Sequence, residues 1–152
     1  MTGEGFEAET WFSLRMESLR MVEPPPSVKE IKRVLMRHLP DRLERALIHM
    51  KDIEDPSYML DLAFKTDVLL RVQNMQGKSL RIAVDITADP SKTTSKLKTI
   101  SSRKFAAVRE ELKIDYHWVV LVDANALPTR DELMDAVYEQ VDRGSDLAII
   151  KV

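Results

Sequence analysis

The chain contains no cysteine. That absence excludes disulfides, a thiolate nucleophile and cysteine-ligated zinc together. Glycine is nearly as scarce, with four in 152 residues, which leaves little material for a glycine-rich phosphate loop or a dinucleotide fingerprint. There is no G-x-S-x-G turn, so covalent nucleophile chemistry has no visible support. No stretch approaches the roughly 18 apolar residues of a membrane span. The acidic start, residues 1–9, has neither the basic region nor the apolar run of a secretory signal, and the expectation is a cytoplasmic protein. Charge of one sign is lacking too. With 23 Lys and Arg against 25 Asp and Glu the net charge is −2, so attraction to nucleic acid has to come from a local basic patch.

What is present is the make-up of one folded domain over 1–152, with 44% hydrophobic and 32% charged residues. Residues 6–21 read as an amphipathic helix on Phe6, Trp11, Leu14 and Leu19, closed by the stiff Pro24, Pro25 and Pro26. Ser27 stands where it caps a second helix, with Glu30 at the capping-box distance and Val28, Ile31, Val34 and Leu35 as its apolar stripe. Pro40 and Asp41 interrupt it. Leu43, Leu47, Ile48 and Ile53 then carry a third helix toward Pro56, giving a helical N-terminal part over 1–56.

From residue 62 the period changes and an α/β core over 62–152 begins. Residues 63–72 and 80–87 are rich in branched side chains and flank a turn containing Gly77, as two antiparallel strands do. The second alternates: Leu80, Ile82, Val84 and Ile86 fall on one face, Arg81, Ala83, Asp85 and Thr87 on the other. Pro90 ends it, and 91–113 reads as one helix with Leu97, Ile100, Val108 and Leu112 inward. The almost continuous apolar run 118–122 implies a central strand covered on both faces. Thr129 and Glu132 form a capping box for a helix to Gly144, and a last strand follows over 147–152. The order predicts an α/β (α+β) fold, a mixed central sheet flanked by helices.

Two aspartates, Asp67 at the start of one strand and Asp85 near the end of the next, repel unless a cation such as Mg²⁺ or Mn²⁺ lies between them. Such an ion neutralises a phosphate and activates a water. The helix that follows holds Lys92, Lys96, Lys98, Arg103, Lys104, Arg109 and Lys113 against Glu110 and Glu111, and is the chain's one local basic patch. The bland readings are a turn-forming aspartate and a solvated lysine face. His117 reads as structural, and Asp123 with Asn125 as a turn before a capped helix.

At these residues the chain resembles the PD-(D/E)XK (restriction-endonuclease-like) nuclease superfamily, whose core is a helix with an acidic residue, a hairpin with two motif acids, a helix and a further strand. The resemblance implies Asp67 and Asp85 as metal ligands and catalytic acids acting on DNA. Thr66 replaces the motif proline and Thr87 stands where the motif lysine belongs. Members that supply the lysine from the following helix make Lys96, or else Lys92, the substitute. The helical acid is then Glu44, or else Glu9. Lys92, Lys96, Arg103 and Lys104 are the expected DNA contacts, and the resemblance also implies self-association. The expected function is a Mg²⁺-dependent nuclease. The alternatives are a non-catalytic member of that fold serving binding or assembly, and an unrelated α/β protein holding a small ligand near Asp123.

Overall fold

A computed structural model describes residues 7–50 and 54–152. Phe6 and Ile53, both assigned to helices above, lie outside the described residues. Among these, seven α-helices and four strands follow in the order α1 (Ala8–Ser18), α2 (Val28–His38), α3 (Pro40–Met50), α4 (Pro56–Phe64), β1 (Val68–Gln73), β2 (Ser79–Thr87), α5 (Thr93–Ile100), α6 (Arg103–Glu111), β3 (Tyr116–Leu121), α7 (Arg130–Arg143) and β4 (Leu147–Lys151). The sheet order is β1-β2-β3-β4. β1 and β2 are antiparallel, whereas β2 with β3 and β3 with β4 are parallel. The expected mixed sheet flanked by helices is the architecture found.

Strand alternation sorts the side chains into two cores. Leu70, Leu80, Ile82, Val84, Trp118 and Val120 face α1 and α7, meeting Phe12, Met16, Leu133 and Val137. Leu69, Ala83 and Val119 face the opposite way, toward Ile31, Leu35, Leu43, Phe64 and Phe105. The molecule is thus three layers, with the sheet between α1 and α7 on one side and α2 to α6 on the other. Burying each of these large apolar side chains stabilises the fold by roughly 1.5–3 kcal/mol.

Four local expectations are corrected. In α1 the buried pair is Phe12 and Met16, four residues apart and so on one face, while Leu14 is 60% exposed. Phe12 is therefore committed to the protein's own core. Residues 56–64 form a fourth helix, so the helical part extends beyond residue 56 and β1 begins five residues later than expected, at Val68 rather than Ala63. Asp55 accepts from Ser57 N–H at 2.9 Å, Pro56 occupies the first turn, and Met59, Leu60, Ala63 and Phe64 supply a buried helical stripe. Pro40 opens α3 rather than merely separating it from α2. The single helix expected over 91–113 is two, because Ser102 adopts extended backbone and caps α6 through Phe105 N–H at 3.2 Å.

The outer edge of β1 is shielded by the segment before the prolines. Glu23 N–H donates to the Leu69 carbonyl at 3.1 Å and Arg71 N–H to that of Met21 at 2.7 Å, which removes an open strand edge. Glu23, buried, accepts from Arg71 Nε at 2.6 Å and also from Arg81 Nε. Truncation leaves both guanidinium groups without their carboxylate. Glu23→Ala is expected to lower unfolding stability by about 2 kcal/mol, read from urea denaturation; an unchanged midpoint would mean the pair contributes nothing.

Candidate metal and phosphate site

The sheet brings the two sequence-identified aspartates together at one rim. Asp67 sits directly before β1, and its backbone N–H donates to the Val84 carbonyl at 2.8 Å. Its side-chain oxygen accepts from Ile86 N–H at 2.6 Å, so the carboxyl is tied across the hairpin. Asp85 is two residues before the end of β2 and only 2% exposed. Its face is the one carrying Ala83, toward the α2 to α6 layer.

Two helices add carboxylates. Glu9 in α1 and Asp61 in α4 each place a side-chain oxygen with that of Asp67 so that all three lie within 4.8 Å of one another. Asp61 lies one helical turn past Ser57 in α4. Burial, first, and the Asp61 and Glu9 carboxyls, next, push the Asp67 carboxyl up to about 10. A proton there does what a cation would do, screening oxygens that otherwise repel. Asp85 is also raised, by burial, against the opposing pull of Lys96, of a hydrogen bond with Asp67 and of Lys65.

The ammonium comes from α5. Lys96 Nζ lies 3.1 Å from each oxygen of Asp85. α5 packs on β3 and β4, and Asp89 starts the preceding 3₁₀ turn by accepting from Ser91 N–H at 3.0 Å. Those two features aim Lys96 back at the end of β2. Lys92 is exposed at the close of that turn. Thr87, in the place of the motif lysine, accepts from Asp89 N–H at 3.1 Å and helps end the strand.

The remaining expected residues fall elsewhere. Glu44 is exposed on α3 and is not in the carboxylate group; the upstream acid that meets Asp67 is Glu9. Arg103 and Lys104 are exposed in the first turn of α6. Asp123 accepts from Asn125 N–H at 2.9 Å, an exposed turn. Asp61 falls between the helical part expected over 1–56 and the core expected from 62, so no element carries it in the sequence reading; the signal for it is the Asp55-Pro56 start followed by apolar residues at helical spacing. Cavities of about 460 Å³ and 350 Å³ open on either side of Asp67, the first against Pro24, Pro25 and Thr66, the second against Glu9, Thr10 and Asp61.

Beneath the site His117 is fully buried. Its Nε2–H donates to the Lys65 carbonyl at 3.0 Å and lies 3.4 Å from the Thr66 hydroxyl, which itself donates to the Phe64 carbonyl. The ring packs 5.0 Å from Phe64 and 6.4 Å from Phe105. His117 thereby pins the residues that lead into Asp67, as the structural reading of it expects.

Glu9, Asp61 and Asp67, from α1, α4 and the hairpin entrance, form an oxygen-rich group of three carboxyls, and Asp85 of β2, which touches Asp67 and carries Lys96, lies beside it and outside that group. No family model matches the chain, and no curated protein and no solved structure matches it. Among the described residues no helix is long and apolar enough to cross a membrane.

Proposed function

We propose that the protein is a Mg²⁺- or Mn²⁺-dependent nuclease acting on DNA phosphodiester bonds. The observation that carries this reading is the convergence on Asp67: Glu9 and Asp61 beside it, Asp85 in contact with it, and Lys96 upon Asp85. The order of an acid-bearing helix, a hairpin with two acids, a lysine-bearing helix and a strand supports kinship with PD-(D/E)XK nucleases.

The donor set fits the metal. It is all carboxylate oxygen, and separations within 4.8 Å are close to what two ligands of one small cation require. Glu9, Asp61 and Asp67 would hold it, with Asp85, in contact with Asp67 but outside that group of three, at its side. Bound there, the ion supplies charge neutralisation of the phosphate and a water of lowered pKa. The chain's own residues do the rest. Asp67, fixed by Ile86 N–H, orients the donor set. Lys96, only part-exposed, presents its ammonium to a phosphate oxygen or to the attacking hydroxide, where a compact charge in a poorly solvated place is strongest.

One observation favours the non-catalytic alternative, a nuclease-like fold used for binding or assembly. Lys96 reaches both oxygens of Asp85 equally, so that carboxylate is satisfied without a metal.

The discriminating experiment is divalent-metal-dependent cleavage of supercoiled, linear and single-stranded DNA by the wild type, Asp85→Ala and Lys96→Ala, with Mn²⁺ titration calorimetry and circular dichroism on each. The nuclease reading expects Asp85→Ala to lose metal binding and cleavage, and Lys96→Ala to keep the metal and lose rate. A folded wild type that neither binds Mn²⁺ nor cuts any of the three overturns it in favour of the binding module.

A further inference from the structure

A second group of side chains lies on the helical side of the Asp67 entrance. Arg42, Arg45, Ala46 and His49 of α3, with Leu62 of α4 and Lys65 just after it, line a cavity of about 220 Å³. Among the described residues no carboxylate lines it. Among the described residues the ion pairs join Lys32, Arg33, Arg37, His38, Arg71, Arg81, Lys96 and Arg143 to acids, and none involves Arg42, Arg45 or Lys65. Three cations that converge without an acid repel one another, and they gain only when an anion enters.

Arg42 is held in place. Arg42 lies over the Phe105 ring at 5.2 Å, which fixes its guanidinium at the cavity wall. Burial and then the neighbouring Arg45 hold that guanidinium below its ordinary range. Lys65 is the left-handed cap of α4 with φ 48°, two residues before Asp67, and its charge is felt at Asp85. Arg45 Nε makes one long contact, 3.4 Å to the Asp41 carbonyl, leaving its other donors open.

We propose that this cavity is a subsite for a backbone phosphate of the DNA strand, next along the strand from the phosphate at the Asp67–Asp85–Lys96 centre. Lys65 joins the two places. Arg45 and Arg42 offer forked donors that match phosphate oxygens, and Lys65 adds a point charge between the subsite and the metal centre. The acidic centre by itself repels a polyanion. The basic cavity supplies the attraction that the net charge of −2 does not. The inference deepens the nuclease reading and rests on it for the identity of the strand.

The test is binding of a short fluorescein-labelled DNA duplex in EDTA across a salt series, by anisotropy, with the full chain. Arg45→Ala is expected to weaken binding by about tenfold and to reduce the slope of log affinity against log salt by about one, and Arg45→Ala with Lys65→Ala by about two. Arg130→Ala, an exposed arginine opening α7, is expected to change neither. Arg45 and Lys65 carry no core packing, so these variants fold even where Arg42→Ala does not. A double variant with wild-type affinity and slope overturns the subsite, as does a wild type that does not bind the duplex. Inorganic phosphate provides the second arm: phosphate binding lost in the double variant while duplex affinity is unchanged makes this a small-anion pocket and overturns the strand assignment. A wild type that binds the duplex through these residues yet cuts nothing with Mg²⁺ upholds the phosphate subsite and fails the nuclease reading alone.

Discussion

Asp67→Asn is expected to stabilise the protein in the absence of metal and to reduce its cleavage by about three orders of magnitude, the scale on which loss of an electrostatic catalytic group is felt. The two effects have one cause. Asp67 is part-buried beside Glu9 and Asp61, and its carboxyl is pushed up to about 10 by burial first and then by the Asp61 and Glu9 carboxyls. The folded carboxyl therefore holds a proton that the unfolded chain, near 3.8, has released. Its contribution is fully present below the unfolded value and is lost as pH rises through the folded one.

An amide removes this dependence. It carries no charge, still accepts from Ile86 N–H, and donates to a neighbouring carboxylate. The gain at neutral to alkaline pH in EDTA is about 1–2 kcal/mol, part of the linkage cost of keeping the folded carboxyl protonated where the unfolded one is ionised. For a chain of this size each kcal/mol moves the melting temperature by roughly 2–4 °C. Saturating Mg²⁺ or Mn²⁺ is expected to reverse the ranking, since an ion that binds only the folded wild type stabilises it by mass action. Thermal melts of both proteins in EDTA and in Mn²⁺, beside the cleavage assay, read all three effects. A variant that melts below the wild type in EDTA would show that the carboxylate is needed for the fold and is not a strained ligand.

Acid is expected to unfold the protein through His117. Burial is the largest cause of its depressed pKa, with Arg109 adding to it and the Lys65 carbonyl opposing, and the folded imidazole falls to about 3 against 6.5 for the free group. Between those values the unfolded chain binds a proton that the folded chain refuses, so stability falls as pH drops through 6.5. The limiting slope is about 1.4 kcal/mol per pH unit, and the loss near pH 3 is on the order of 3–5 kcal/mol.

Asp67 and Asp85 act with the opposite sign over part of this range, so the readout is the difference between wild type and His117→Leu. Leucine fills the space between Phe64 and Phe105 and leaves the Lys65 carbonyl without its donor. Urea midpoints at neutral pH are expected to favour the wild type by about 1–2 kcal/mol. That advantage shrinks and then inverts below about pH 5.5 as the imidazole cost grows. A difference that stays constant from pH 7 to 4.5 would mean that His117 titrates alike in both states and would sink the argument.

The hairpin was legible because its signal is local. Period-two alternation over 80–87 assigns Asp85 to the face opposite Ile82 and Val84, and the observed register, with Val68 opposite Val84, brings Asp67 to it. Lys96 was legible as one of two candidates, since α5 follows the strand directly. The helix break at Ser102 and the fourth helix at Pro56 carried cap signals of their own, but continuous apolar spacing outweighed the first and the change to branched residues obscured the second.

The choice between Glu9 and Glu44 was of another kind. Both are helical acids upstream of the hairpin, and nothing in their own neighbourhoods separates them. What separates them is that α1 crosses β2 with Phe12 and Met16 inward, which leaves Glu9 at the rim beside Asp67, while α3 buries Leu43 and Ala46 in the other layer and turns Glu44 outward. The sequence by itself determined the presence of four strands, the caps at Ser27 and Thr129, the central position of 118–122 and the pairing of Asp67 with Asp85, because period and capping act within a few residues. The tertiary structure alone decided which helices supply Glu9 and Asp61, and that Arg42, Arg45 and Lys65 share one cavity with no acid among its described lining residues. Those placements depend on how three layers stack, and layer packing is set by the summed burial of residues far apart in the chain.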